Sequence, residues 1–505
     1  MSRFTILSAV AALAASAALA APAAVGDPVY LRLSYIDDAS SSMTVTWHTA
    51  GPADSEVRYG TSPGDYTSTT VGDSFASSVV EFGHIHQVTL TGLEPETVYY
   101  YVAGSEEDGW STEHSFVTAP PADLACGSFS FVFLGDNRPD ETFGGGENWD
   151  AILDQAAATD PAFMLNGGDL LIDGDDVGGW LDFLGWTCDV AAEIPLMPTI
   201  GNHDNGPGEG DEAYYNQLFS LPRSSGEFGS DTEDYYFFTY ANAIFVSLST
   251  ETFKGGEIPF QQQADWLDQV LTDNPRKWRI VFYHKPSYNQ DALVGGHEPN
   301  EESQNAALIP VIDEHHVDLV IASHVHWYER YHPTACATQG EPGSSEPCPV
   351  GEGNFADGTV HLVSGGAGAF TIPSVFCPIS PPPGRAVCDS SHHYLLIHIE
   401  DEVLEYQAWG AHPQNNELFD SFVITKEDEE CAAADADTDS DSDSDTDTDI
   451  DIDIDSDADA DTSDDAEIDG GGQNASEGDD SGSCGCNAPG SRASVGALSA
   501  LLEAL

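Results

Sequence analysis

Basic residues are scarce in this chain: 14 Lys and Arg stand against 87 Asp and Glu over 505 residues, a formal net charge of −73. So acidic a surface repels polyanions, which sets aside nucleic acid as a partner or substrate unless metals and a few arginines overcome the long-range penalty. Long apolar runs are missing beyond the N-terminus. No later stretch approaches the ~20 apolar residues that a membrane-spanning helix needs, so the body is expected to be soluble outside the inner membrane. Cysteine is limited to nine residues, and thiolate is absent from the metal-donor blocks described below.

The N-terminus is the exception to the polar character. Met1-Ser-Arg-Phe leads into an alanine-rich apolar run ending in Ala18-Leu-Ala20, the basic start, short apolar core and small-residue cleavage site of a secretory signal. Residues 1–20 are therefore expected to direct export of a bacterial protein to the periplasm, cell surface or medium. Cysteines tend to pair in such a compartment. Cys336 with Cys348 and Cys377 with Cys388 each enclose a short loop rich in Pro and Gly, which makes these the expected bridges, while Cys126, Cys188 and Cys431 stay unassigned.

Residues 28–119 alternate apolar and polar side chains in short runs, such as Met43-Thr-Val-Thr-Trp47 and His86-Gln-Val-Thr-Leu90, separated by turn residues. This is the pattern of an all-β sandwich. Ala119-Pro-Pro-Ala122 reads as a linker. From 127 to 426, buried-strand runs alternate with helical patterns at Ala151–Ala156, Phe260–Leu271 and Asn305–Glu314, as in an α/β layered domain, and hairpins are expected over 235–248 and 394–409. Residues 427–482 form an Asp-rich segment in which every odd position from Asp435 to Asp461 is aspartate. Charge at that density cannot bury a core, so a disordered linker is expected. Weak calcium binding is its functional alternative: Asp465-Ala-Glu-Ile-Asp-Gly470 opens like an EF-hand loop, but Ser476 stands where the twelfth-position glutamate belongs. Residues 483–505, with Cys484-Gly-Cys486 and an apolar end, read as a sorting tail that attaches the protein to the cell envelope.

Within 127–426, five blocks each end an apolar run with a metal-binding side chain: Phe131-Val-Phe-Leu-Gly-Asp136, Gly168-Asp169, Gly201-Asn-His-Asp204, Phe282-Tyr-His284 and Ser323-His-Val-His326. Asp, Asn and His offer hard oxygen and borderline nitrogen donors, which suit Fe, Zn or Mn and build two-metal phosphoester-cleaving sites. Asp136, Asp169 and Asn202 recur every 33 residues, about one strand-helix-strand step, so the donors can gather at one sheet edge. Each block alone has a plainer explanation. His-x-His on a strand is commonly a surface pair, and Gly-Asn-His-Asp can be an ordinary turn. Their joint order favours the metal centre.

In that order, and with Ser323-His-Val-His-Trp-Tyr-Glu-Arg330 closing the set, the chain resembles the calcineurin-like metallophosphoesterases and, within them, the purple acid phosphatases, over residues 28–426. The resemblance implies a four-layer α/β sandwich, two sheets flanked by helices. Leu93-Glu-Pro-Glu-Thr-Val-Tyr-Tyr-Tyr101 further resembles the fibronectin type III-like domain that precedes it in larger members. It also implies two metal ions: Asp169 bridging both, Asp136 and His326 on the first, and Asn202, His284 and His324 on the second. His203 would contact the phosphate, and His297 would bind substrate or donate a proton. Two positions depart from the pattern. Arg138 stands where many relatives place a histidine ligand, and Ile172 where purple acid phosphatases place the tyrosine whose charge transfer to ferric iron gives their colour. The first metal is thus short of a protein ligand, for which water or Asp173 could substitute. Arg138 is read either as a surface ion pair or as a ligand of phosphate oxygens. The expected activity is hydrolysis of small phosphate monoesters by metal-activated water. A phosphodiesterase or nucleotide pyrophosphatase is the near alternative, and an inactive calcium-binding or adhesive surface protein the distant one.

Overall fold

A computed structural model of the protein describes residues 27–122, 126–139, 144–207, 210–251, 260–290, 302–353, 355–379, 381–412 and 416–426. The N-terminal segment expected to direct export, His297, Cys431, the aspartate segment and the C-terminal tail lie outside the described residues.

Alternating sequence near the N-terminus folds into two antiparallel sheets. One runs β1 (Val29–Ser34), β2 (Ser42–Thr49), β6 (His84–Thr91), β5 (Asp73–Ala76). The other runs β4 (Ser68–Val71), β3 (Glu56–Gly60), β7 (Val98–Ser105), β8 (Gly109–Trp110), with β9 (His114–Val117) also paired to β7. Met43, Val45 and Trp47 on one face of β2 are fully buried with Ile85, Val88 and Leu90, as a two-residue period requires. The polar face is buried too. Arg32 Nε donates to the Leu218 carbonyl at 2.8 Å, Ser34 Oγ to that of Ser220 at 2.5 Å, and Thr46 Oγ1 lies 2.9 Å from Ser220 Oγ. Alternation predicts that face turned to water; here it is a hydrogen-bonded seam against the last residue of α3 (Tyr214–Leu218) and the segment after it.

The remaining strands make two larger sheets. The six-stranded one runs β12 (Leu196–Pro198), β11 (Phe163–Asn166), β10 (Ser128–Leu134), β20 (His393–Glu400), β21 (Val403–Gly410), β22 (Glu417–Thr425). The seven-stranded one runs β13 (Tyr236–Tyr240), β14 (Ala243–Ser247), β15 (Trp278–Tyr283), β16 (Leu319–Ala322), β18 (Val360–Ser364), β17 (Tyr328–Tyr331), β19 (Arg385–Asp389). β10, β11 and β12 are mutually parallel, as are β14, β15, β16 and β18.

The layering follows from the strand period. In β14, β15 and β16, Phe245, Ile280, Phe282, Leu319 and Ile321 join the core shared with β10 and β11, while Val246, Val281, Tyr283, Val320 and Ala322 join a second core with α4 (Phe260–Asp273) and α5 (Glu302–Glu314). α1 (Gly145–Ala157) and α2 (Val177–Ala191) close the first core with Trp149, Ile152, Trp180 and Phe183. α2 and β22 are elements the sequence pattern did not reveal. In α2, Gly178, Gly179 and Gly185 mask a sound stripe of Trp180, Phe183, Leu184, Cys188 and Ala191, and the Asp176 side chain caps its start by accepting from Gly178 N.

The bridges Cys336–Cys348 and Cys377–Cys388 are formed, and Cys126 and Cys188 are also disulfide-bonded. No helix among the described residues is long and apolar enough to cross a membrane.

Candidate metal centre

Parallel strands that end on one side deliver their following residues to one place. Asp136 follows β10, Asp169 follows β11, Asn202 follows β12, His284 follows β15, and His324 and His326 span the turn from β16 to β17. The turns are tight. A Cβ on Gly135 or Gly167 would stand about 2 Å from Ser323 Oγ, at 1.9 and 2.0 Å, so these glycines leave room for the Ser323 hydroxyl. That hydroxyl donates to the Ser364 carbonyl at 3.0 Å. Asp136, Arg138, Asp169 and His324 all have positive φ, between 35° and 69°. For side chains other than glycine this is costly backbone, the kind that persists where the surroundings over-determine it.

Two clusters of donor atoms result, each within 4.8 Å: Asp169 with His284 and His324, and Asp136 with Asp169 and His326. Asp169 belongs to both. Around His284 Nε2 lie Asn202 Oδ1 at 3.0 Å, Asp169 Oδ1 at 3.1 Å and His324 Nδ1 at 3.1 Å. Around Asp136, Oδ2 accepts from the His324 amide at 2.7 Å, whereas Oδ1 accepts no hydrogen bond from the described residues and lies 3.2 Å from His326 Nε2. The imidazoles are pre-set. His284 Nδ1 donates to the Gly167 carbonyl and His326 Nδ1 to the Phe370 carbonyl, each at 2.8 Å, so both rings turn an unprotonated Nε2 inward when neutral, the arrangement metal ligands need.

Charge explains why this assembly calls for cations. Burial would raise the Asp169 carboxyl, but His284, Arg138 and His203 hold it well below the usual carboxylate range. Burial would lower the His284 imidazole, yet Asp169, helped by Asp136 and Glu251, pushes it up to about 9. Without an ion the cluster retains a proton instead. A buried carboxylate oxygen with no donor, and ring nitrogens converging on shared carboxylates, fit divalent or trivalent ions.

Arg138 is buried and its guanidinium is hydrogen-bonded to Asp169 Oδ2, so it is an ion pair of the site and not of the surface. His203 donates its amide to Asp169 Oδ1 at 3.0 Å and its Nδ1 to the Ile172 carbonyl, and its Nε2 lies 3.9 Å from Asp169 Oδ2 on the open side. Ile172 is 36% exposed at the rim. Asp173 is exposed and accepts from the Asp175 amide of its own loop.

Asp204 has a part that its block gave no hint of. Its carboxylate accepts from Asp169 N, Leu170 N and Gly201 N at 2.7–2.9 Å and ties the Asp169 loop to the Asn202 loop; burial and then the Asp169 charge raise it well above the usual range. An acid closing a turn whose amides need acceptors is the signal that could have found it. The Tyr-Glu-Arg end of the last block is structural. Arg330 clamps Asp420 of β22 through Nε at 2.6 Å and a second nitrogen at 2.9 Å, and Tyr328 donates to the same carboxylate, so β17 of one large sheet is tied to β22 of the other.

Comparison with known proteins agrees with this architecture. Sequence profiles described as Purple acid Phosphatase, N-terminal domain, and Calcineurin-like phosphoesterase match residues 28–118 and 129–328. Purple acid phosphatase 18 of Arabidopsis thaliana is 30% identical over 336 residues, covering 65% of this chain and 68% of that protein. A phosphoenolpyruvate phosphatase of Allium cepa is 25% identical, covering 77% and 80%. The solved structure of purple acid phosphatase PPD1 from yellow lupin seeds superposes with a TM-score of 0.62 at 21% identity, covering 79% of this chain and 74% of that one. Members of this family use two metal ions. The chain belongs to the purple acid phosphatases, metal-dependent phosphoesterases of the calcineurin-like superfamily.

Proposed function

We propose that this phosphatase is exported and hydrolyses phosphate monoesters of small molecules. The observation that carries the assignment of roles is the sharing of Asp169 by both donor clusters: Asp169 would be held in common by the two ions, with Asp136 and His326 holding one and Asn202, His284 and His324 the other. When bound, the two ions supply an activated water and Lewis-acid stabilisation of the phosphoryl oxygens. The chain's own groups bind and orient. His203, on the open side with its Nδ1 committed to a carbonyl, directs Nε2 toward the ester and binds a phosphoryl oxygen. Asp204 and the carbonyls of Gly167 and Phe370 hold the donors in register before substrate arrives. Proton donation to the leaving group falls to His297, which lies outside the described residues.

Support for a small monoester comes from two sides. The acidic chain disfavours polyanionic diesters, and the Allium cepa relative is named for a small monoester. Export is supported by the leader-like N-terminus and by disulfides, which persist in oxidising compartments. Envelope attachment and calcium binding rest on the tail sequence alone. Aryl phosphate and bis-aryl phosphate, tested side by side on metal-analysed enzyme, decide the substrate class. The monoester should turn over faster by at least about tenfold, a difference of ~1.4 kcal/mol in the barrier; a faster diester would reverse the assignment.

A further inference from the structure

We propose that Arg138 is a resident cation of the half-site formed by Asp136, Asp169 and His326, competing with an incoming metal ion for Asp169, so that the two ions bind with well-separated affinities. The proposal rests on the binuclear reading above.

Three observations converge on it. The oxygens of Asp169 are divided: Oδ1 faces His284 and the His203 amide, whereas Oδ2 accepts from the Arg138 guanidinium. Arg138 is also held there by more than its tip, since it is buried and its backbone has φ of 35°, a conformation that a free loop would relax. Finally, the donors grouped at this half-site among the described residues are Asp136, Asp169 and His326, and a guanidinium carries only N–H donors and never deprotonates, so Arg138 supplies charge to this half-site and cannot ligate.

An ion entering beside Asp136 and His326 must share Oδ2 with a positive group or displace it. The other half-site faces Oδ1, where the neighbouring groups are imidazoles and an amide oxygen that can themselves become ligands, as a guanidinium cannot. Once displaced, the planar fork of Arg138 is suited to two phosphoryl oxygens. One side chain would thereby link filling of the weaker site to occupancy by phosphate.

The test is an equilibrium titration of the metal-free full-length protein with Zn²⁺ or Mn²⁺ against a chromophoric chelator, which reads each ion without turnover. Wild type should bind a first ion tightly and a second at least about tenfold more weakly, and Arg138→Gln should strengthen the second by about tenfold with the first unchanged, the scale on which a ligand's neighbour tunes metal affinity. Arg138→Lys, which keeps the charge, should leave the second ion weak, and it serves equally if the glutamine variant does not fold. Two ions bound in every form, with the second unaffected by Arg138→Gln or strengthened by Arg138→Lys, would overturn the competition alone. A chain that takes up no second ion in any form would overturn the binuclear assignment and the proposal with it.

Discussion

In the half of the centre around His284, three donor atoms from the loops after β11, β12 and β16 meet one ring nitrogen at 3.0–3.1 Å. The half around His326 instead gathers two carboxylates, one imidazole and a guanidinium. Both rings are aimed by backbone carbonyls at the same 2.8 Å distance, so rigidity does not separate the halves. Charge does. One half offers groups that can all ligate a cation, and the other includes a guanidinium that cannot. A single carboxylate belonging to both would then serve two sites that differ in charge and, on the proposal above, in affinity.

The strongest way to break this comparison is to remove what the halves share. Asp169→Asn takes away a charge on which both clusters depend and leaves Asp204, which brackets its loop, in place. Both ions should be lost on dialysis, and aryl phosphatase activity should fall by more than the roughly 100-fold that losing an outer hydrogen-bond partner costs. An enzyme that keeps its metals and rate would mean that Asp169 does not bridge. The halves are then separated by taking one imidazole from each. His284→Ala should lose the tighter ion, whereas His326→Ala should lose only the weaker one, as read by metals per chain after dialysis. Equal losses from the two variants would erase the distinction.

Protons probe the same asymmetry. The ion-free protein holds the His284 imidazole near pKa 9, above its ordinary value of about 6.5. The bound proton thus contributes stability fully below about 6.5, and that contribution is lost as pH rises through about 9. Entry of the first ion must displace it, so over this window the tighter affinity should rise by up to about tenfold per pH unit, with release of a proton. Calorimetric titration in two buffers of different ionisation enthalpy measures the release. Uptake that is flat from about 6.5 to 9 would show His284 neutral before the metal arrives.

Much of this was legible in the sequence, for identifiable reasons. Asp136, Asp169, Asn202, His284, His324 and His326 each close an apolar run, and the 33-residue recurrence of the first three is the length of the β10-α1-β11 and β11-α2-β12 steps. Period-two patterns marked β2, β3, β6 and β7. What stayed hidden depends on partners distant in the chain. Nothing near Arg138 names Asp169, 31 residues on, as its counter-ion. The turn closed by Asp204 is visible in its block, but the amides of Asp169 and Leu170 that it also brackets lie 35 and 34 residues away. The polar face of β1 and β2 looks solvent-facing until residues 218–220 cover it. In α2, glycines disguised an apolar stripe that only packing makes evident.

The smallest expected effect comes from restoring what the weaker half lacks. Ile172 is 36% exposed, and its carbonyl already receives a hydrogen bond from His203, so Ile172→Tyr changes a rim side chain without disturbing the loop's backbone contact. A phenolate there would add one anionic donor, but it must first lose its proton at a pKa near 10 and would still contend with Arg138 for the same ion. The second affinity should therefore rise by only a few-fold, less than in Arg138→Gln, since a new ligand that must deprotonate offsets part of its own gain. The spectrum is the sharper readout. With ferric iron bound, the wild-type chain should be pale because isoleucine cannot transfer charge to the metal, and Ile172→Tyr should acquire the visible tyrosinate band of its coloured relatives. If iron-loaded wild type already shows that band, another tyrosine reaches the first metal, and the contrast between a complete and an incomplete half would have to be redrawn around that residue.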